Sequence, residues 1–174
     1  MSTYSRAALR DLFDYTVFTW QSYARCLATL PPDVLSQPIP DAGWPALRDV
    51  FFHIALAWDG WLRDYLGIDD PLDATPESLS SWDDVQVHRE KIRGWLRRLI
   101  DDTSEDDLHA RTLTVGEGPT AMPASVADVA MHLLLHERGH HGDVTTLLAQ
   151  LGVPPPPTDY LVYRFFKQRR ETRE

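Results

Sequence analysis

His136 and His140 stand four residues apart in a run, Val129, Leu133, His136, His140, Val144, that otherwise reads as the apolar face of a helix. Residues at i and i+4 project the same way, about 6 Å apart along the axis. Leucine is the ordinary occupant of such positions. Two imidazoles one turn apart on a buried face are costly unless their nitrogens find partners. A divalent metal satisfies both at once. A third histidine from a neighbouring helix would complete a facial three-nitrogen site with open positions for water or substrate, as in catalytic rather than structural centres. The pair alone leaves a plainer reading open, because such pairs also stand on ordinary helix faces.

The other five of the seven histidines are less telling. His53 lies beside an apolar stripe, between Val50 and Ala57. His132 is one turn before His136, but eight residues, about 12 Å, separate it from His140, so these three cannot share one ion. His88 has stripe spacing with Val85 and Ile92 but no histidine partner, and His109 follows an acidic loop and is expected at the surface. His141 points away from His136 and is expected behind the site or in solvent. The run His136-Glu137-Arg138-Gly139-His140 also matches H-E-x-x-H, which would make Glu137 the general base of a zinc protease. Context speaks against that reading, since such enzymes hold an extended peptide along a sheet edge and no sheet is signalled. The extended form of the motif fails too: its glycine falls at 142, and Asp143 occupies the required position. Glu137 borders the histidine face and is expected near the metal.

Four amphipathic segments must position these residues. The first spans about 3–30, with Leu9, Leu12, Phe13, Thr16, Trp20, Tyr23 and Leu27 at steps of three and four, and Pro31-Pro32 ends it. The second spans about 45–66, with Pro45 in its first turn and Gly67 as its C-terminal cap. The third spans about 82–100 and the fourth about 124–151, opened by Ser81/Asp84 and Ser125/Asp128 at capping-box spacing. Helices of roughly 20 to 28 residues, about 30 to 42 Å long, predict an all-α, single-domain four-helix bundle over residues 1–174. Linkers 67–81 and 101–123 are long enough to run the length of such a bundle. Leu113–Val115 could pair briefly, Leu161–Phe166 reads as a short packed piece, and the tail from Lys167 as frayed. Trp20, Trp58, Trp61 and Trp95 fall on or beside apolar stripes, whereas Trp44, just before the second helix, is expected to cap the bundle end, with lining a pocket as the alternative.

Seventeen Lys and Arg against 26 Asp and Glu give a formal charge of -9 over 174 residues. That balance argues against non-specific binding to nucleic acid or to an anionic membrane. One cysteine, Cys26, excludes an intramolecular disulfide, a zinc finger and a CxxC redox motif. No apolar run has the length of a membrane span and no signal peptide is evident, so a cytoplasmic protein is expected.

Read in order, LFDYTVFTWQSY, LRDVFFHIALAWDGWL, HLLLHERGHHGDVTTLLAQLG and PPPPTDYLVY resemble the successive signatures of the DinB/YfiT-like superfamily of metalloenzymes. The resemblance covers nearly the whole chain. It implies an up-down-down-up bundle with a long crossover between the second and third helices, a role for linker 67–81. It also implies a three-histidine metal site, carried here by His53, His136 and His140. Many relatives are homodimers. Two positions depart from the pattern: His141 stands where arginine is frequent and Asp143 where glutamine is frequent. The family name reflects induction of a relative by DNA damage and implies no DNA binding.

Three neutral imidazoles leave the +2 charge of a divalent ion uncompensated, so it can lower the pKa of bound water or deprotonate a coordinating thiol. Zinc or nickel is expected, with iron and copper as alternatives. Relatives include S-transferases and isomerases that use low-molecular-weight thiols such as bacillithiol, mycothiol or glutathione. The resemblance therefore implies a thiol-dependent S-transferase acting on a small-molecule electrophile. The alternatives are a metal-dependent hydrolase of a small substrate and a non-catalytic metal-binding stress-response protein. Cys26 has no histidine motif near it and reads as a packed thiol rather than a nucleophile.

Overall fold

The computed structural model describes residues 4–68, 75–79 and 81–172. Six α-helices and one two-stranded hairpin, with three short 3-10 turns at Pro32–Leu35, Pro76–Ser78 and Gly118–Thr120, make up the regular structure of these residues: α1 (Arg6–Leu27), α2 (Leu47–Leu66), α3 (Trp82–Asp102), α4 (Glu105–His109), β1 (Leu113–Val115), β2 (Met122–Ala124), α5 (Val126–Gln150) and α6 (Tyr160–Glu171). The chain is all-α apart from the hairpin. Its strands pair antiparallel, with Leu113 opposite Ala124 and Val115 opposite Met122.

The helix ends follow local chemistry. At α3 and α5 the Ser81 and Ser125 hydroxyls accept from the Asp84 and Asp128 amides, and each aspartate bonds back to the serine amide. Gly67 closes α2 with φ of 65°, a left-handed conformation that costs glycine little. Pro45 does not enter the first turn of α2, contrary to expectation. The helix starts after Ala46, and the Pro45 carbonyl instead accepts from the Ile39 amide. That bond folds the preceding loop back against the helix start.

The four long helices share one apolar core, in which Leu9, Trp20, Tyr23, Leu47, Phe51, Ile54, Trp58, Ile92, Leu96, Leu134 and Leu148 are buried. α1 packs against α3 and α5, and α2 packs against the same two. Side-chain pairs give the directions. Arg6 reaches the Asp101 and Thr103 carbonyls while Trp20 bonds Gln86, so α1 and α3 are antiparallel. Tyr15 meets Arg138 and Tyr23 meets Thr145, so α1 and α5 run the same way. His53 meets His140 while Trp61 meets His132, which sets α2 against α5. α2 and α3 then run together, as Phe51–Trp82 and Trp58–Arg89 also show. The link that returns the chain between these parallel helices falls on 67–81, of which 69–74 and 80 lie outside the described residues.

The C-terminal segment is more ordered than its sequence suggests. α6 continues through Lys167 to Glu171, beyond the short piece expected at 161–166; the last two residues of the tail lie outside the described residues. One carboxylate holds it to α1: Asp11 accepts from the Tyr160 hydroxyl at 2.7 Å, the Tyr163 hydroxyl at 2.9 Å and Lys167 Nζ at 2.7 Å. Burial pushes the Asp11 carboxyl up, but these donors outweigh it and hold it at about 2. Tyr15 adds a bond to the Thr158 carbonyl at 2.6 Å, which seats the extended segment before α6.

Candidate metal centre

α2 and α5 bring together the two ends of the pattern singled out in the sequence. His53, His136 and His140 each offer a ring nitrogen, all within 4.8 Å of one another, a group that can hold a metal ion. His140 Nε2 and His136 Nε2 are 3.2 Å apart. Cis nitrogen ligands at the usual metal–nitrogen distance lie about 3.0 to 3.3 Å apart in octahedral or tetrahedral geometry, so this pair already has the spacing of two ligands. The three rings pack against one another, with centroids 4.6 Å apart for His53–His140 and 4.5 Å for His136–His140.

The tautomer of His140 is fixed by its partner. Its Nδ1 lies 2.8 Å from Asp143 Oδ2, and a carboxylate only accepts, so Nδ1 carries the proton and Nε2 presents its lone pair. Trp44 Nε1 donates to the same oxygen at 3.1 Å. A carboxylate behind a ligating histidine is the usual device for orienting the ring and raising its basicity. Spacing alone assigns Asp143 no fixed role and leaves Trp44 between capping the bundle end and lining a pocket. The indole packs on the site, 5.1 Å from the His53 ring and 5.6 Å from that of His140. The i, i+3 spacing of His140 and Asp143 was the available signal for the first; nothing local announces the second, because loop 36–46 must first fold back onto α2.

Burial holds His136 down at about 4, helped by the nearby His140, His53 and His132 rings, and burial with His140 also lowers His53. Neutral imidazoles are what a cation requires, so the donors present fit a divalent ion.

The buried face of α5 is wider than the stripe read from its sequence. Val129, Leu133, Val144, Leu147 and Leu148 are buried as expected, Ala130, Leu134, Glu137 and His141 are buried beside them, and His136 and His140 are half-buried at the edge that faces α2. Glu137 and His141 are both fully buried. Arg89 Nη2 donates to both Glu137 oxygens at 2.7 Å, and His141 Nε2 lies 3.4 Å from Oε1. The Arg89 guanidinium is itself between two indoles, 5.0 Å from the Trp20 ring and 4.7 Å from that of Trp58. Burial pushes the Glu137 carboxyl up, but Arg89 and His141 outweigh it and hold it at about 2. Glu137 is therefore committed to a core ion pair and is not the free base that H-E-x-x-H would need. His141 lies in the core and not in solvent, its pKa lowered by burial. Arg89 has no signal of its own in the sequence: it stands beside the stripe of Val85, His88 and Ile92, where an arginine reads as surface.

The other histidines are dispersed. His109 bonds Glu105 at 3.1 Å, His88 is half-buried on α3, and His132 stacks on Trp61 with centroids 4.2 Å apart.

Three histidines from two helices of an all-α chain thus converge on one point and form a candidate metal site. The model of the DinB family matches residues 1–173, and the chain belongs to that family. It is also similar to Protein DinB of Bacillus subtilis (strain 168), 27% identical over 161 residues that cover 88% of this chain and 92% of that one. No solved structure matches. Among the described residues no helix is long and apolar enough to cross a membrane.

Proposed function

We propose that His53, His136 and His140 bind a divalent metal and that the protein is a metal-dependent enzyme transferring a low-molecular-weight thiol to a small electrophile. The observation that carries the site is the 3.2 Å approach of two Nε2 atoms, with His140 Nδ1 tied to Asp143 so that its Nε2 faces the other ring. Bound there, the ion supplies Lewis acidity that favours the deprotonated form of a thiol, because three neutral imidazoles leave its charge uncancelled.

The chain's own residues hold and orient. Asp143 and Trp44 fix the His140 ring, and Trp44 covers His53 and His140 on one side and keeps water from that flank. In the transfer, the thiol loses its proton to solvent, its sulfur forms a bond to the electrophilic carbon, and the leaving group departs with its bonding electron pair. Glu137 takes no part in moving protons.

Transfer assays with glutathione, mycothiol and bacillithiol on metal-loaded and metal-stripped protein test this. Thiol-dependent activity that disappears in His53→Ala and on stripping is expected. Metal-dependent turnover indifferent to every thiol would replace the reading with hydrolysis. Stoichiometric metal without turnover would leave a binding protein.

A further inference from the structure

A cavity opens one turn of α5 away from His136, between α2, the hairpin and the start of α5. Its walls are Trp61, Val115, Met122, Ala124, Val129 and His132, and its volume is about 130 Å³. Asp128 also borders it, with its Oδ2 held by the Ser125 amide and hydroxyl at the helix cap. His132 and the second Asp128 oxygen are the polar groups at an otherwise apolar lining. The His132 ring connects the cavity to the centre: it stacks on Trp61 at 4.2 Å and lies 6.0 Å, centroid to centroid, from the His136 ring.

We infer that this cavity receives the apolar part of the substrate, a group of the size of one aromatic ring or a short branched chain, while the reacting end lies at the three histidines. The inference deepens the proposed transferase reading and rests on it. Size sets the class: an apolar protein cavity of about 150 Å³ takes a benzene molecule. Lining sets the polarity, since small-molecule sites are mainly apolar with a few placed polar groups. Position sets the reach, because one helical turn is about 5.4 Å, the span of a short linker between a ring and a reacting atom. Met122 is more than half exposed and stands on the short hairpin, so the outer wall is a flexible thioether that can fit its guest.

Two probes test this. Toluene, which has no metal ligand, is titrated into metal-free and zinc-loaded protein carrying 13C-methyl methionine. A saturable shift of the Met122 methyl is expected in both forms. Ala124→Leu should abolish it while zinc binding persists, and Val115→Phe fills the same space from the other strand should the first variant not fold. In cobalt-loaded protein, 2-phenylethanethiol should bind about tenfold more tightly than ethanethiol, read from the thiolate-to-cobalt absorption, and Ala124→Leu should erase the difference. No toluene shift, a shift indifferent to both fillings, or no phenyl advantage at the cobalt would overturn the inference. Toluene binding in a protein that retains no metal would instead defeat the transferase reading and leave the cavity standing.

Discussion

Glu137→Gln separates the two readings of the H-E-x-x-H run. A catalytic base lost to an isosteric amide would lower turnover and leave stability alone. The structure makes the opposite demand. Arg89 and Glu137 have side chains 1% and 0% exposed, joined by two bonds of 2.7 Å. Removing the carboxylate charge strands a guanidinium that, among the described residues, has no other anion within ion-pair distance and whose Nε and Nη1 already lack bonded partners. Breaking a buried pair in this way costs about 3 to 5 kcal/mol. The Trp20 and Trp58 faces stay in place and solvate the cation in part, which argues for the lower end, about 3 kcal/mol. For a chain of this length that is a fall of about 10 °C in melting temperature.

Arg89→Met should lose a similar amount, because it leaves the carboxylate buried with a neutral imidazole. The double variant Arg89→Met/Glu137→Leu removes both charges and fills the space, and is expected within about 1 kcal/mol of the parent. The cycle should therefore show a coupling of several kcal/mol, measured by urea denaturation with an unchanged slope. Single variants that each lose less than about 1 kcal/mol, or losses that simply add, would refute the reasoning. Metal affinity of the folded double variant reports separately on whether the pair also orients α5.

Asp143→Asn should reduce zinc affinity about tenfold to a hundredfold by weakening the orientation and basicity of His140; competition with a chromophoric chelator reads this, and an unchanged affinity would remove Asp143 from the site. The clasp on α6 should be sensitive to acid. Asp11 is held at about 2 against an ordinary 3.8, so it takes up its proton less readily folded than unfolded. Its contribution is complete above about pH 4 and is lost as the pH falls toward 2. The protection of α6 amides relative to their intrinsic exchange rates should fall across that interval in the parent, and should be low and flat in Asp11→Asn.

The long helices were legible because their signals are local. Capping boxes at Ser81 and Ser125 and the left-handed Gly67 fall where spacing placed them. The histidine pair on α5 was legible for the same reason. What the sequence hid depends on contacts between distant segments. Trp44 reaches Asp143 across 99 residues, and Arg89 reaches Glu137 across 48. An arginine on a helix reads as surface until a carboxylate and two indoles from other helices are known to enclose it. α6 was read as a short packed piece with a frayed tail, since its polar face gives no hint of the Asp11 clasp. On α5 the stripe through Val129, Leu133, Val144 and Leu148 is buried as its spacing indicates, but the burial of Glu137 and His141 beside it is not legible, because only Arg89 and the rings of α1 give those polar groups a reason to be there.

The wide buried face of α5 connects the core to the centre. Each residue of a helix turns about 100° from the last. Glu137 and His141 follow His136 and His140 by one residue, so the run carries two interleaved i, i+4 pairs directed about a quarter-turn apart. One pair meets Arg89 and the Trp20 and Tyr23 rings in the core; the other meets His53 on α2. A leucine pair at 137 and 141 would fill the core equally well, but apolar contacts let a helix roll. A carboxylate bonded through both oxygens to a guanidinium clamped between two indoles does not. The pair thus fixes the direction in which His136 and His140 emerge toward α2. In this chain the glutamate of H-E-x-x-H serves the two histidines by holding their helix, from a face about a quarter-turn away from theirs.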